Sequence, residues 1–330
     1  MKVLVTGGAG FIGSITTRML IDAGHEPIVL DTLENGHRDA VDRRARFEIG
    51  NVGDRRMLDR LLPGCDAVMH LAGYIEVAES QRDPGRYFHN NASAPLVLLE
   101  AMVEHDVRAM VFSSTAAVYG VPATVPVTED APTEPVNAYG ASKLAFETML
   151  EWFERAHGLR AIRLRYFNVA GAWPDGAMGE DHEPETHLIP RILRAMAEGE
   201  THFEVYGDDY HTPDGTCVRD YIHVCDLGEA HRLSLERLHA GGEGGVFNLG
   251  NGEGFSNLEV IRACAEVTGK NVEIVFGPRR EGDPPELVAS HGRARRDLAW
   301  APAHEDLRAI IEDAWRWHSG HPGGYSFCQV

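Results

Sequence analysis

The chain has no long hydrophobic run. Across its 330 residues nothing approaches the roughly 20 consecutive apolar positions that a membrane-spanning helix needs, so no membrane partner is expected. Paired cysteines are missing too. Cys65, Cys217, Cys225, Cys264 and Cys328 are scattered, with seven residues between Cys217 and Cys225. That excludes a CxxC zinc or redox pair, and no metal is expected. Their odd number leaves one thiol unpaired in a monomer, which fits a reducing compartment, so a cytoplasmic location is expected. Excess positive charge is absent as well: 31 Lys and Arg face 50 Asp and Glu, for a net −19. So acidic a surface excludes nucleic acid and anionic membrane as partners, but admits a small anionic ligand where the charge reverses locally. The start, MKVLVTGGAGFIG, is broken by Gly7, Gly8 and Gly10 and does not read as a signal peptide. No internal repeat is visible.

What is present is an ordinary globular composition, 43% hydrophobic and 25% charged. The length suits one large domain or two unequal lobes. Short apolar runs alternate with helical patterns. Lys2 to Thr6, Pro27 to Asp31, Arg46 to Gly50, Asp66 to Ala72, Ala109 to Ser114 and Arg160 to Phe167 read as strands. Helices are expected through about Ala23 and near 86–105 and 139–157. This alternation predicts an α/β fold, a doubly wound parallel sheet of the Rossmann type. After Phe167 the pattern loosens. Residues 173–187 read as a polar loop, Leu188 to Glu198 as a helix, 241–245 as a glycine loop, Val246 to Gly250 as a strand, and His304 to Trp317 as a last helix. The expected division is 1–170 for a dinucleotide-binding domain and 171–330 for a smaller C-terminal substrate-binding lobe, with the chain free to cross between them.

Gly7, Gly10 and Gly13 form a G-x-x-G-x-x-G turn between the first strand and its helix. Glycines there allow a tight turn and let backbone N–H groups reach a pyrophosphate at the helix N-terminus. Asp31 lies eighteen residues beyond Gly13, at the end of the next strand. An acid at that place accepts both ribose hydroxyls of NAD and repels the extra phosphate of NADP. Further on, Tyr139 and Lys143 are spaced i, i+4 at the start of a helix, so phenol and ammonium share a face. A nearby ammonium, with the positive nicotinamide ring, favours the phenolate and lowers a pKa normally near 10. Phe112-Ser113-Ser114-Thr115 ends the preceding strand and sets a hydroxyl at the sheet's C-terminal edge, where α/β folds bind ligands.

These residues carry a resemblance. VTGGAGFIGS, HLAG at 70–73, SSTAAVYG at 113–120, YGASK at 139–143 and RYFNVAGA at 165–172 resemble the extended short-chain dehydrogenase/reductases. HEPETHLIP at 182–190, DGTCVRDYIHVCDL at 214–227, FNLGNGEGFS at 247–256 and PRREGD at 278–283 sharpen the likeness to the UDP-glucose 4-epimerase family, over about residues 2 to 315. The resemblance implies Tyr139 as acid/base, Lys143 tuning it and binding the nicotinamide ribose, and Thr115 bridging phenol and sugar. It implies NAD contacts from Phe11, Ile12, Asp31, Asn35, Asn51, Val52, Leu71, Ala72, Asn90 and Phe167, beside Gly7, Gly10 and Gly13. For a UDP-sugar it implies Asn168, His187, Leu188, Tyr206, Arg219, Arg280, Asp283 and Leu287. Two arginines can neutralise a diphosphate, Tyr206 can lie against uracil, and Asp283 can accept from ribose hydroxyls.

Three positions depart from the family pattern. Ile75 stands where many members place a lysine near the cofactor phosphates, so that contact is not expected. Asn51 replaces an aspartate that reads adenine and brings both a donor and an acceptor. His187 replaces an asparagine beside the sugar, and its imidazole can bind diphosphate or fill space. The implied reaction is reversible inversion at C4 of a UDP-hexose through a 4-keto sugar, with NAD retained. Leu287 is smaller than the family's wall tyrosine on the C2 side, which predicts acceptance of UDP-N-acetylhexosamines. A 4,6-dehydratase would need an acid and base after Thr115, where Ala116 and Ala117 stand. A 4-epimerase of a UDP-uronic acid or pentose is the alternative. A non-enzymatic NAD-binding protein would have no use for Tyr139, Lys143 and Thr115 together. A homodimer is expected through the helices near 86–105 and 139–157.

Overall fold

The computed structural model describes residues 1–279 and 284–325. The chain begins with β1 (Lys2–Thr6), α1 (Phe11–Asp22), β2 (Glu26–Asp31), β3 (Arg46–Ile49), α2 (Arg55–Leu61) and β4 (Ala67–His70). Two short helices follow, α3 (Val77–Arg82) and α4 (Pro84–Phe88). Then come α5 (Ala94–Glu104), β5 (Ala109–Thr115), α6 (Ala138–His157), β6 (Arg160–Tyr166) and β7 (Asn168–Ala170). The second half supplies α7 (Leu188–Glu198), β8 (His202–Tyr206), β9 (Val218–Arg219), β10 (Tyr221–His223), α8 (Val224–His239), β11 (Gly245–Leu249), β12 (Phe255–Ser256) and α9 (Asn257–Thr268). It closes with β13 (Glu273–Gly277), β14 (Glu286–Leu287), α10 (Gly292–Asp297) and α11 (Leu307–Gly320).

Seven strands form one sheet in the order β11-β6-β5-β4-β1-β2-β3, and every neighbouring pair is parallel. Such a sheet is covered on both faces, so β1, β2, β4, β5 and β6 are buried along nearly their whole length rather than on alternate residues. All seven residues of β5 are buried. One face packs α2, α5 and α6 around Leu58, Leu98, Met102 and Phe146. The other packs α1 and α8 around Leu20, Leu227 and Leu235. A third core, around Ile192, Met196, Ile261 and Ile310, joins α7, α9 and α11 to the two-stranded β8–β13 ribbon.

The doubly wound parallel sheet is as expected. Its edge strand β11 pairs with β6, and α8 covers the sheet beside α1, so residues well beyond 170 complete the first layer. The helix read over 86–105 is not continuous. A five-residue π-helical stretch, His89–Ser93, separates α4 from α5, a widening of the kind that often marks functional positions. The last helix begins at Leu307, because the Asp306 side chain accepts from the Arg308 N–H and caps it there. Among the described residues no helix is long and apolar enough to cross a membrane.

Candidate active site

The glycine turn is built for close approach. A Cβ on Gly13 would stand 2.1 Å from the Gly7 carbonyl oxygen, and one on Gly7, at φ +74°, would stand 2.5 Å from the Ala72 nitrogen. Turn, helix and the loop after β4 therefore pack backbone to backbone. Gly10 is the N-cap of α1, with no capping side chain and no acid in the first turn. The first-turn N–H groups, among them those of Phe11, Ile12 and Gly13, have no intrahelical acceptor and suit a pyrophosphate. Asp31 ends β2, and its two oxygens accept from the Ala9 N–H at 3.0 Å and the Leu33 N–H at 2.9 Å. Burial pushes this carboxyl up from its ordinary value while the two N–H groups pull it down. Each oxygen keeps acceptor capacity for a ribose hydroxyl. Turn and acid thus fit a dinucleotide.

The remaining cofactor candidates line the same edge. Leu71 follows β4 and donates its N–H to Thr6. Asn35 is exposed in the loop after β2. Exposed Asn51 turns its oxygen onto the Gly53 N–H at 2.7 Å, and Val52 is buried against α2 and α5. Asn90 donates to Asn91 at 3.0 Å. Phe167 is buried with Ala116, Val118 and Tyr119.

Tyr139 and Lys143 lie one turn apart on α6. Asn137 caps that helix by accepting from the Gly140 N–H at 2.8 Å. Both side chains are buried. Lys143 donates to the Ser113 carbonyl at 3.0 Å, which ties α6 to β5. Thr115 ends β5 and caps the next turn by accepting from the Ala117 N–H at 3.1 Å. Burial pushes the Tyr139 phenol up, a hydrogen bond with Thr115 pulls it down, and the Glu76 carboxylate adds to the rise. The lowering expected from Lys143 is not found: the net shift is upward, and desolvation dominates it. Burial pulls Lys143 itself down to about 8, against the Glu147 carboxylate one turn on.

Glu147 anchors a buried polar chain. It accepts from Arg165 at 3.0 and 2.5 Å and from the Ser114 hydroxyl, and Arg165 reaches the Tyr119 hydroxyl at 3.0 Å. Asn91, which the sequence reading passed over, is buried in the π-helical stretch. Its amide donates to the Tyr74 carbonyl and to Ser142, one residue before Lys143, at 3.0 and 3.1 Å. The signal was a polar pair, Asn90-Asn91, inside an otherwise apolar helical pattern.

The described substrate candidates lie on the smaller sheets and at the start of α7. Arg219 in β9 lies beside Leu287 in β14, and Asn168 opens β7 opposite Tyr221 in β10. Between Arg219 and Tyr221, buried Asp220 accepts from the backbones of Asn251, Gly252 and Ala289 at 2.6, 3.0 and 3.0 Å. Burial pushes it up to about 6 against those three bonds. Tyr206 ends β8, opposite Gly277. Leu188 opens α7 and packs on the third core. His187 is the N-cap residue of α7, and its Nδ1 lies 2.6 Å from Glu180. Burial opposes charge on His187, but Glu180 and Glu185 outweigh it and lift the imidazole to about 9. Ile75 is exposed in the loop between β4 and α3. Arg280 and Asp283 lie outside the described residues.

A glycine turn with its ribose acid, and a buried tyrosine and lysine facing a strand-end threonine, define a nicotinamide-dinucleotide-dependent enzyme on a doubly wound sheet. The chain belongs to the NAD dependent epimerase/dehydratase family, whose profile matches residues 3–250. It is similar to a UDP-glucose 4-epimerase of Lacticaseibacillus casei, 50% identical over 98% of this chain and 99% of that one. A crystal structure of a UDP-glucose 4-epimerase superposes with a TM-score of 0.96 at 46% identity, covering 99% of this chain and 100% of that one. The Brucella ovis UDP-glucose 4-epimerase in complex with NAD gives 0.93 at 44%, over 97% and 98%.

Proposed function

We propose that this chain is an NAD-dependent isomerase that reversibly inverts C4 of a UDP-hexose, interconverting UDP-glucose and UDP-galactose. The observation that carries the reading is the buried Tyr139–Lys143 pair on α6 against the strand-end Thr115, above a glycine turn that fits a dinucleotide. NAD, when bound, would supply the hydride acceptor and donor for C4. The protein's part is proton transfer and positioning. Tyr139, as phenolate, takes the proton of the 4-hydroxyl, and Thr115 holds phenol and hydroxyl together. The ketone at C4 is flat, so either face can receive the returning hydride once the hexose has turned, and Tyr139 gives its proton back to the oxygen. Lys143 supplies positive charge one helical turn from the phenol.

Arg219, Arg280, Asn168, Tyr206 and Asp283 hold the UDP handle, which binds tightly while the hexose turns. Gly7, Gly10, Gly13 and Asp31 hold the cofactor. Replacing Tyr139 by Phe is expected to abolish turnover of UDP-galactose while leaving NAD releasable on denaturation; near-normal turnover would sink the assignment.

Leu287 bears on which hexose fits. It packs against Ala116, Tyr119 and Phe167, and as the C2-side wall it leaves more space than an aromatic ring would. UDP-N-acetylglucosamine is therefore expected to turn over beside UDP-glucose, and parallel assays of the two check it. We further infer a homodimer through α5 and α6, where Trp152 is 61% exposed and Leu144, Met149 and Phe153 are half-buried. Cys65, Cys225 and Cys264 are thiols rather than disulfides, which supports a cytoplasmic location.

A further inference from the structure

Residues 180–187, E-D-H-E-P-E-T-H, bring four side chains to a point outside the Tyr139–Lys143 pair. Glu180, His182, Glu185 and His187 each offer a ligand atom, and the four atoms lie within 4.8 Å of one another. Glu180 Oε1 is 2.6 Å from His187 Nδ1 and 3.3 Å from His182 Nδ1. Glu185 stands 3.9 Å from His182 Nδ1 through Oε2 and 3.7 Å from His187 Nδ1 through Oε1. Bonds of about 2.1 Å in a tetrahedron separate donors by ~3.4 Å, the middle of that range.

Hydrogen bonding alone does not account for the cluster. Glu180 and Glu185 expose only 4% and 5% of their side chains. Glu185 Oε2 is buried with no hydrogen-bond partner, and buried His182 Nδ1 meets Glu180 at 3.3 Å without hydrogen-bond geometry; the two atoms stand 3.9 Å apart. Buried polar atoms are otherwise nearly always satisfied, and buried carboxylates are paired or bind metal. Metal binding displaces the His187 proton, and two carboxylates with two neutral imidazoles then carry −2, which a divalent cation cancels. Two nitrogens and two oxygens in a compact set suit zinc better than calcium or magnesium, which take six or more oxygen-rich ligands.

The surrounding bonds already hold the ligands in place. The His187 N–H donates to Glu185 Oε1 at 2.9 Å, leaving Oε2 for the centre. The Glu180 carbonyl accepts from the Trp317 indole at 3.1 Å, and the His182 carbonyl from Arg194 at 2.9 Å. These contacts tie the segment to α11 and α7.

We propose that Glu180, His182, Glu185 and His187 form a structural site for one zinc-class divalent cation. The ion staples the loop before α7 to that helix, and so fixes where His187 and Leu188 stand. The histidines are two ligands of a closed set, which leaves no role in proton transfer for this centre.

The test uses the full-length protein with its bound dinucleotide, stripped with a chelator and titrated with zinc against a chromogenic competitor. One zinc per chain is expected. Cobalt in its place is expected to give the intense visible bands of a tetrahedral centre. Glu185→Gln, nearly isosteric, and His182→Ala are expected to weaken zinc binding by at least about 100-fold, beyond what losing an outer-shell partner costs. Both should keep the bound dinucleotide. His202→Ala, in an exposed pair with Glu273, should leave zinc binding unchanged. Substoichiometric zinc, or wild-type affinity in Glu185→Gln, would overturn the proposal. No readout involves turnover, so the result stands apart from the UDP-hexose reading.

Discussion

Gly140 shows how one missing methyl group sets the chemistry. It sits between Tyr139 and Lys143 in sequence, and a Cβ there would meet the Ala117 carbonyl oxygen at 2.5 Å. Its absence lets the first turn of α6 press against the turn that follows Thr115, and so brings the phenol to the threonine. Gly140→Ala should push α6 outward, lengthen the Tyr139–Thr115 contact and lower kcat by roughly 10- to 100-fold. NAD retention should change little. A kcat within twofold of wild type would mean that this close approach does not position the phenol. The grouping of Tyr139, Lys143 and Thr115 was legible in the sequence because i, i+4 spacing and strand ends are local facts. Asn91 and the 180–187 cluster were not. Asn91 matters through a π-helical widening that no periodicity announces, and the cluster depends on a loop bend that brings alternating residues together.

Helix α6 works on two sides. Inward, Tyr139, Lys143 and Glu147 follow one another at four-residue spacing, so the proposed proton-transfer pair and the Glu147–Arg165 ion pair share one helix. Outward, Trp152 is 61% exposed, with Arg155 across its ring at 5.1 Å. An exposed tryptophan beside half-buried apolar residues is what an interface centre looks like. Trp152→Glu would place a charge there without touching the inward face. Sedimentation is expected to shift from dimer toward monomer, with NAD still bound; a wild-type monomer, or an unchanged mutant dimer, would count against the interface. The sequence pattern located α6 and α7 to within about a residue. It passed over α2, α8 and α9, because short or mixed polar–apolar helices give weak periodicity and are fixed by what they pack on.

At the scale of the whole molecule, two buried histidines couple stability to pH. His70 sits against the Thr6 hydroxyl at 2.6 Å. His231 bridges the Ser113 hydroxyl and the Leu227 carbonyl, both at 2.9 Å. Burial pulls them down to about 3 and about 4, with Lys143 also acting on His70. In the unfolded chain both take protons below about pH 6.5, so between that pH and their folded values the unfolded state binds more protons. Their contribution is complete above pH 6.5 and is lost as pH falls through that window. Removing one such histidine should flatten the pH slope of unfolding free energy by about 1.4 kcal/mol per pH unit. His231→Gln is thus expected to be less stable at pH 7 but less acid-sensitive between pH 6 and 4.5. Denaturant titrations at a series of pH values measure both, and parallel slopes would refute the account.

The late arrival of β11 carries a consequence for synthesis. A nascent chain emerging from the ribosome has made β1 to β6 some eighty residues before β11 appears. Until then the β6 edge lacks its outer partner, and the apolar face later covered by α8 is bare. An open parallel edge beside uncovered hydrophobic surface invites pairing with another chain. The first half of this protein is therefore a poor candidate for independent folding. Its solubility during translation rests on the speed with which residues 224–249 follow, or on a chaperone that shelters the edge meanwhile.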